Sequence, residues 1–312
     1  MKEKKILIIK FGGLGDIILS LNAIYSIRNE FKDHKLILLT EMPYKDFLEK
    51  SKWFDDIIVI KRSFFYFNDI LQIRKKLNVL AIEKVFDLQT SSRSSFYLKI
   101  FYKQNIYTNG IGKYAKAKHD NPNRDEMHTL DRQKEQLKLS NIIFKKKINL
   151  NWLYPSIKKD KEKIALIVPG GSKKRLYKRI PIEIFATIIK FLITNKIKPI
   201  LIGSKDDFLV CEKLFKTFPI IKNYCNKTDF LKIAQMSKQA TISLGNDTGP
   251  MHIIARGDNP TLVFFTEHSN YKLCGQQGKK VSIMRFEKNN LEFSNQVLEK
   301  IKKVTLIQSS LT

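Results

Sequence analysis

Apolar and polar positions alternate on two scales along this chain. In the first half, short β-branched runs predict strands at residues 5–10, 35–40, 56–60 and 83–88, and the stretches between them carry a helical period. In the first of those helices Ile17, Leu21, Ile24 and Tyr25 recur at helical spacing, and Arg28, Asn29 and Lys32 close it. Strands alternating with helices predict parallel βαβ units with helices on both faces of a sheet. From 109 to 124 the apolar period fails and Gly, Lys, Asn, Asp and Pro gather, which predicts a long surface loop. A helical stretch follows at 130–144, and the charged run 155–163 reads as an interdomain connection.

The second half restarts the pattern, with strands expected at 164–168, 199–202, 241–244 and 261–265. Pro181 falls where it can begin a helix over 182–194, because a first-turn proline gives up no intrahelical hydrogen bond. The pattern therefore predicts two doubly wound α/β domains, 1–157 and 158–290. A closing helical stretch, 291–312, has Leu291, Val297, Leu298, Ile301 and Val304 broadly on one side.

Composition agrees with two cores: 312 residues at 43% hydrophobic content suffice for both. The 57 basic and 30 acidic residues give a formal charge of +27, which raises nucleic acid, an anionic membrane surface and acidic substrates as partners. The lysines are spread among many Ile and Asn residues, a bias that an AT-rich genome also produces. No basic stripe interleaved with aromatics occurs, which argues against nucleic acid and leaves anionic lipid or sugar phosphate. The N-terminal apolar run is too short for a signal peptide, and no run reaches the length of a membrane span. Any membrane association is expected to be peripheral. Cys211, Cys225 and Cys274 are odd in number and lack a C-x-x-C pair, a pattern that fits a reducing cytoplasm better than a disulfide framework or a zinc site.

The chemistry concentrates at Ser243-Leu-Gly-Asn-Asp-Thr-Gly-Pro-Met-His-Ile-Ile-Ala255, a Gly-rich turn opening into a helix. The free backbone N–H groups of a helix's first turn, with Asp247, Thr248 and His252 beside them, can hold a phosphate without a metal. Asp247 can equally be an N-cap and His252 a core or surface histidine. A second glycine turn, Phe11-Gly-Gly-Leu-Gly-Asp16, also joins a strand to a helix but lacks the G-x-G-x-x-G spacing. Glu41, at the end of the second strand, sits where a ribose-binding acid would, which keeps a nicotinamide-dependent oxidoreductase as a rival reading.

These blocks resemble those of glycosyltransferase family 9, the ADP-heptose:lipopolysaccharide heptosyltransferases. Asp247-Thr-Gly-Pro-Met-His252 resembles the family's Asp-Thr-Gly-x-x-His signature, and the run from Lys5 to Asp16 resembles its opening strand and Leu-Gly-Asp turn. Val168-Pro-Gly-Gly-Ser172 with Lys178-Arg-Ile-Pro181 resembles its Pro-Gly-x and Lys-x-Trp-Pro elements, and the run from Pro199 to Asp207 resembles its Leu-x-Gly-Gly-x-x-Glu strand end. The chain departs from the pattern at Ile180 for Trp, at Asn22 or Ala23 for Pro, and at Asp207 for Glu.

The resemblance implies a GT-B architecture: two Rossmann-like domains with an interdomain cleft, acceptor on the first, nucleotide-sugar donor on the second, and the last helix crossing back to the first domain. It implies an inverting transfer of heptose or a related sugar, ADP-heptose foremost, to a lipopolysaccharide core or other lipid-linked acceptor at the inner face of an anionic membrane. Asp16 would be the general base, with an N-cap as its other reading. Lys178, Thr248 and Gly249 would stabilise the departing diphosphate, joined by Asp247 and His252; Ser172 would bond a diphosphate oxygen or serve as a turn serine, and Asp207 would bond the ribose. Gly12, Gly13 and Arg93, the last in Asp87-Leu-Gln-Thr-Ser-Ser-Arg93, would meet the acceptor. No Asp-x-Asp occurs, so neither a metal nor a cofactor is expected. A nucleotide-sugar-binding module without transferase activity is the other class of reading.

Overall fold

The computed structural model describes residues 4–77, 81–158, 162–287 and 292–309. They form two compact units that divide between Trp152 and Leu153. The division falls slightly before the expected 157/158, because Leu153 is buried and the Tyr154 hydroxyl donates to the Ile253 carbonyl at 2.5 Å. Residues 159–161 of the charged connection, and Leu291 at the expected start of the last helix, lie outside the described residues.

The first unit carries strands β1 (Lys5–Ile9), β2 (Lys35–Thr40), β3 (Asp56–Val59), β4 (Ile82–Asp87), β5 (Tyr107–Gly110) and β6 (Ala117–Lys118). Its helices are α1 (Leu14–Glu30), α2 (Met42–Glu49), α3 (Tyr66–Leu77), α4 (Ser92–Lys103) and α5 (Thr129–Lys138). All strand pairs are parallel, in the order β3-β2-β1-β4-β5-β6. β1 is apolar on both faces because the helices cover both sides of a parallel sheet. The helix α1 is buried nearly all round: Gln133 on α5 donates to Ser20 Oγ at 2.8 Å, and Asn22 donates to the Lys145 and Lys146 carbonyls at 2.9 Å each.

Three expectations change in this unit. The stretch 109–124 is not a free loop: it completes β5, adds the edge strand β6, and buries Asn109 and His119. α5 stops at Lys138 rather than running to 144, since Asn141 takes a left-handed φ of +57° and Ile142 N–H returns to the Leu137 carbonyl, a common helix C-terminus. α1 is capped by Gly13, which leaves Asp16 inside the first turn and removes the N-cap reading for that residue.

The second unit repeats the plan with β7 (Ile164–Val168), β8 (Lys198–Leu201), β9 (Lys222–Asn223), β10 (Ile242–Asn246), β11 (Thr261–Thr266) and β12 (Val281–Phe286). The helices are α6 (Ile182–Thr194), α7 (Phe208–Thr217), α8 (Phe230–Gln239), α9 (Gly249–Arg256), α10 (Tyr271–Cys274) and α11 (Phe293–Ser309). The order β12-β11-β10-β7-β8-β9 is that of the first unit: the opening strand is central, with the second and third strands on one side and the fourth to sixth on the other. Pro181 occupies the cap position of α6, one residue ahead of its first turn. The last helix, expected on the first domain, belongs to the core of the second unit. Phe293, Val297 and Ile301 are buried there, and Phe293 packs edge-on against Phe264 on β11. No helix among the described residues is long and apolar enough to cross a membrane.

Each sheet has one place where strand order reverses, between β1 and β4 and between β7 and β10. In such sheets the loops at the carboxyl ends of those two strands diverge and leave a crevice in which ligands bind.

Candidate active site

At the reversal point of the second unit the loop after β7, Pro169 to Ser172, meets the start of α9. Asn246, buried at the end of β10, holds the two together: its Nδ2 donates to the Pro169 and Gly170 carbonyls at 2.8 and 3.1 Å, and its Oδ1 accepts the Ile180 N–H at 3.2 Å. Gly170 must be glycine, since a Cβ there would collide with the Asp207 carboxylate. α9 begins at Gly249 with Thr248 as its cap residue, but Thr248 makes no capping bond. Thr248 Oγ1 is buried and, among the described residues, has no hydrogen-bond partner. Pro250 supplies no N–H, so the positive end of α9 rests on the Thr248 and Gly249 amides and that hydroxyl.

Lys178 ends the short 3₁₀ segment Lys173–Lys178, and its Nζ donates to Asp247 Oδ2 at 3.0 Å. Asp247 Oδ1 accepts from Gln276 Nε2 at 2.9 Å, and the same Gln276 nitrogen lies 3.2 Å from His252 Nε2. A Gln276 that donates to both requires an unprotonated His252 Nε2. Asp247 is therefore not the N-cap: it binds Lys178 and Gln276 beside the start of α9, and His252 is buried next to that glutamine. Ser172 caps the 3₁₀ segment by position, makes no capping bond and is exposed.

Asp207 is bonded within the protein on both oxygens. Its Oδ1 accepts the Gly171 N–H at 2.7 Å and Arg179 Nη2 at 3.2 Å, and its Oδ2 accepts Ser204 N–H and Oγ, each at 2.8 Å. Four donors saturate a carboxylate that is only 6% exposed. Arg179 also donates to the Gly171 carbonyl, so Asp207 and Arg179 together clamp the β7 loop.

The reversal point of the first unit is acidic. Gly12 stands at φ +112°, a conformation L side chains rarely adopt, and its N–H donates to Glu41 Oε2 at 3.3 Å. The other Glu41 oxygen accepts from Arg62 Nε at 2.6 Å, so the acid that suggested a nicotinamide ribose site is engaged within the protein. Phe11 N–H donates to Gln89 Oε1 at 3.2 Å. Asp87 is fully buried, and its Oδ1 accepts the Gln89 and Thr90 amides at 3.0 Å each. Burial pushes its carboxyl up to about 6, against the opposing pull of those amides and of Lys10. Lys10 is buried beside it and donates to the Leu88 carbonyl at 3.2 Å; burial lowers its ammonium pKa while Asp16 and Asp87 hold it up. Asp16 is exposed, and among the described residues nothing donates a hydrogen bond to its carboxylate.

Arg93 is committed elsewhere. Its guanidinium pairs with the fully buried Asp69, donates to the Ser63 carbonyl at 2.8 Å and stacks over Tyr66 with its carbon 4.2 Å from the ring centre. A carboxylate buried without water needs such a cation, so Arg93 ties α4 to α3 instead of facing an acceptor. Lys10, Gln89, Asn246 and Gln276 complete the two sites and are not singled out by sequence spacing. Asn246 stands inside the signature block, whereas Gln276 carries no sequence signal. Among the described residues no group of three or more His, Cys, Asp or Glu side chains is gathered as a metal-ligand set.

The sequence profile of glycosyltransferase family 9 (heptosyltransferase) matches residues 70–302. "Lipooligosaccharide heptosyltransferase 2" of Campylobacter jejuni is 25% identical over 264 residues, covering 81% of this chain and 77% of that protein. Among solved structures, Escherichia coli ADP-heptose LPS heptosyltransferase II aligns with a TM-score of 0.78 at 14% identity over 98% of this chain and 99% of its own. Escherichia coli heptosyltransferase WaaC with ADP aligns at 0.75 and 17% identity over 96% and 99%. At such identities the structural likeness establishes the fold, two Rossmann-like units of the GT-B type.

Proposed function

The chain belongs to glycosyltransferase family 9 and is a glycosyltransferase, and from that premise we propose that it transfers heptose from ADP-heptose to a lipopolysaccharide core or similar lipid-linked acceptor, with inversion and without a metal. The donor follows from the solved relatives, one acting on ADP-heptose and one holding ADP; the acceptor follows from the Campylobacter relative's lipooligosaccharide. The observation that carries the mechanism is the state of the acids at the two reversal points. Glu41, Asp87, Asp207 and Asp247 are all bonded within the chain, whereas Asp16 is exposed and, among the described residues, its carboxylate accepts no hydrogen bond.

In this reading Asp16 takes the proton of the acceptor hydroxyl as its oxygen attacks the anomeric carbon. The bond from that carbon to the diphosphate oxygen breaks with inversion, and ADP leaves with the electron pair. Negative charge grows on the diphosphate, where the Thr248 and Gly249 amides, the Thr248 hydroxyl and Lys178 stabilise it. In the same reading Ser172 bonds an outer phosphate oxygen. Gly12 and Gly13 leave room for the acceptor at the first unit's turn. The +27 charge suits an acceptor presented at an anionic membrane face.

The test is a melting screen against ADP-, UDP- and GDP-sugars, followed by transfer assays with and without chelator. A ligand at 100 times its Kd adds about 2.7 kcal/mol to stability, so the preferred nucleotide will stand out. ADP-heptose should give the largest shift, and transfer should survive EDTA. A larger shift with a UDP- or GDP-sugar would displace the donor, and activity restored only by Mg²⁺ or Mn²⁺ would displace the metal-free mechanism.

A further inference from the structure

The surface of the first unit contains one segment built against the usual rule. Phe64, Phe65, Tyr66 and Phe67 follow one another at the start of α3, and Phe64, Phe65 and Phe67 are 87%, 65% and 63% exposed, with Leu71 one turn on at 50%. Asp69, Ile70, Ile73 and Leu77 form the buried face that holds the helix to the unit, so the phenylalanines are surplus to its folding. A contiguous apolar patch of this kind on a polar rim marks an interaction surface. The patch continues into a groove of about 260 Å³ between α3 and α4, where Phe67, Ile70, Phe96 and Ile100 form apolar walls and Arg74, Lys99 and Lys103 form the edge.

The charges identify the occupant. Asp69 is the only acid in α3, α4 has none, and Asp69 is buried against Arg93. The exposed charges of both helices are therefore all positive. A second copy of the chain on this face would bring like charges together, in a protein already at +27. An anionic lipid surface satisfies both halves of the patch: aromatic rings sit at the headgroup level, and basic side chains meet lipid phosphates.

We propose that the Phe64–Phe67 turn with the facing surfaces of α3 and α4 is a docking surface for an anionic bilayer. The phenylalanines enter the headgroup–acyl boundary, and Arg74, Lys75, Lys99 and Lys103 contact lipid phosphates. This deepens the proposed lipid-linked acceptor by naming the surface that meets its membrane, and it stands on geometry that does not depend on the donor.

The experiment is flotation of the full chain with phosphatidylcholine vesicles containing or lacking phosphatidylglycerol. The parent should float with the anionic vesicles only. Phe64→Ser/Phe65→Ser/Phe67→Ser should weaken that binding on the order of 10-fold or more, with melting temperature unchanged because these rings are exposed. Lys99→Glu/Lys103→Glu should weaken it too, whereas Lys213→Glu/Lys216→Glu on exposed positions of α7, with the same change in net charge, should not. Parental vesicle binding by the triple serine variant would overturn the proposal. So would equal loss from the two charge variants, which would make the attraction general. A parental dimer that the serine changes convert to monomer, with vesicle binding intact, would reassign the patch to self-association. Transfer to a water-soluble, delipidated acceptor, measured in parallel, should be parental in the serine variant. Its absence in the parent would count against the glycosyl-transfer reading alone and leave the vesicle result to decide the docking surface.

Discussion

The two reversal points have the same strand order and the same strand–glycine turn–helix construction, yet opposite chemistry. Where β7 and β10 end, the fold presents the N-terminus of α9, a hydroxyl unpartnered among the described residues and a lysine, with its carboxylates engaged by the chain itself. After β1 it presents an Asp16 carboxylate without a hydrogen-bond partner among the described residues, a buried Lys10 and a buried Asp87 whose charge is disfavoured. Topology chooses where a ligand can sit, and the side chains left unsatisfied choose which ligand that is.

Asp16→Asn attacks the contrast most directly. The Asp16 side chain caps nothing and, among the described residues, its carboxylate accepts no hydrogen bond, so melting temperature and donor affinity should stay parental while turnover falls on the order of 10²- to 10⁴-fold. Full activity in this variant would reduce the first site to a structural turn. Asp207→Ala tests the opposite assignment in the second unit. Removing it strands the Gly171 and Ser204 donors and Arg179, so unfolding in urea should show a loss of roughly 2–4 kcal/mol. Donor Kd measured under conditions where the variant is folded should change little. A large rise in Kd with stability intact would return Asp207 to the ribose.

Lys178→Ala should lower turnover about 10- to 100-fold, the range for one charge-assisted contact. It also leaves the Asp247 carboxylate, 5% exposed, short of a cation, so some stability should go with it. Adding Asp247→Asn separates the two effects: stability should recover and turnover should not. Recovery of both would mean that the lysine serves only the aspartate.

The smallest effect is in pH. The Asp87 carboxyl is raised from 3.8 to about 6, so the folded state holds a proton there that the unfolded chain has lost, and stability falls as pH rises through that window. Asp87→Asn lacks this titration. Relative to the parent it should gain on the order of 2 kcal/mol between pH 4 and pH 7, read from paired urea titrations. Lys10 acts in the opposite sense: its lowered pKa costs stability while the folded lysine is held charged, and the cost fades as pH rises towards the unfolded lysine's pKa. A parallel pH profile for the two proteins would mean that Asp87 is not the buried acid described.

Much of this arrangement is written along the chain. Parallel strands buried on both faces need unbroken apolar runs, so β1, β2, β7, β10 and β11 announce themselves, and the glycine turns mark where each opening strand enters its helix. β6 and β9, two residues each, are too short to carry a period, and β12 is a half-buried edge strand. The placement of α11 was equally hidden, because an apolar helix stripe states that it needs a partner without naming one.

The sequence by itself determined the class of fold, the position of both glycine turns and the residue types gathered at them, since these depend on local period and spacing. Only the tertiary structure decided which of those residues are free to act. Asp207 meets Gly171 across 36 positions, Lys178 meets Asp247 across 69, and Arg93 turns to an aspartate on another helix. A carboxylate's availability depends on how many donors fold against it, and those donors come from parts of the chain whose proximity no local spacing encodes.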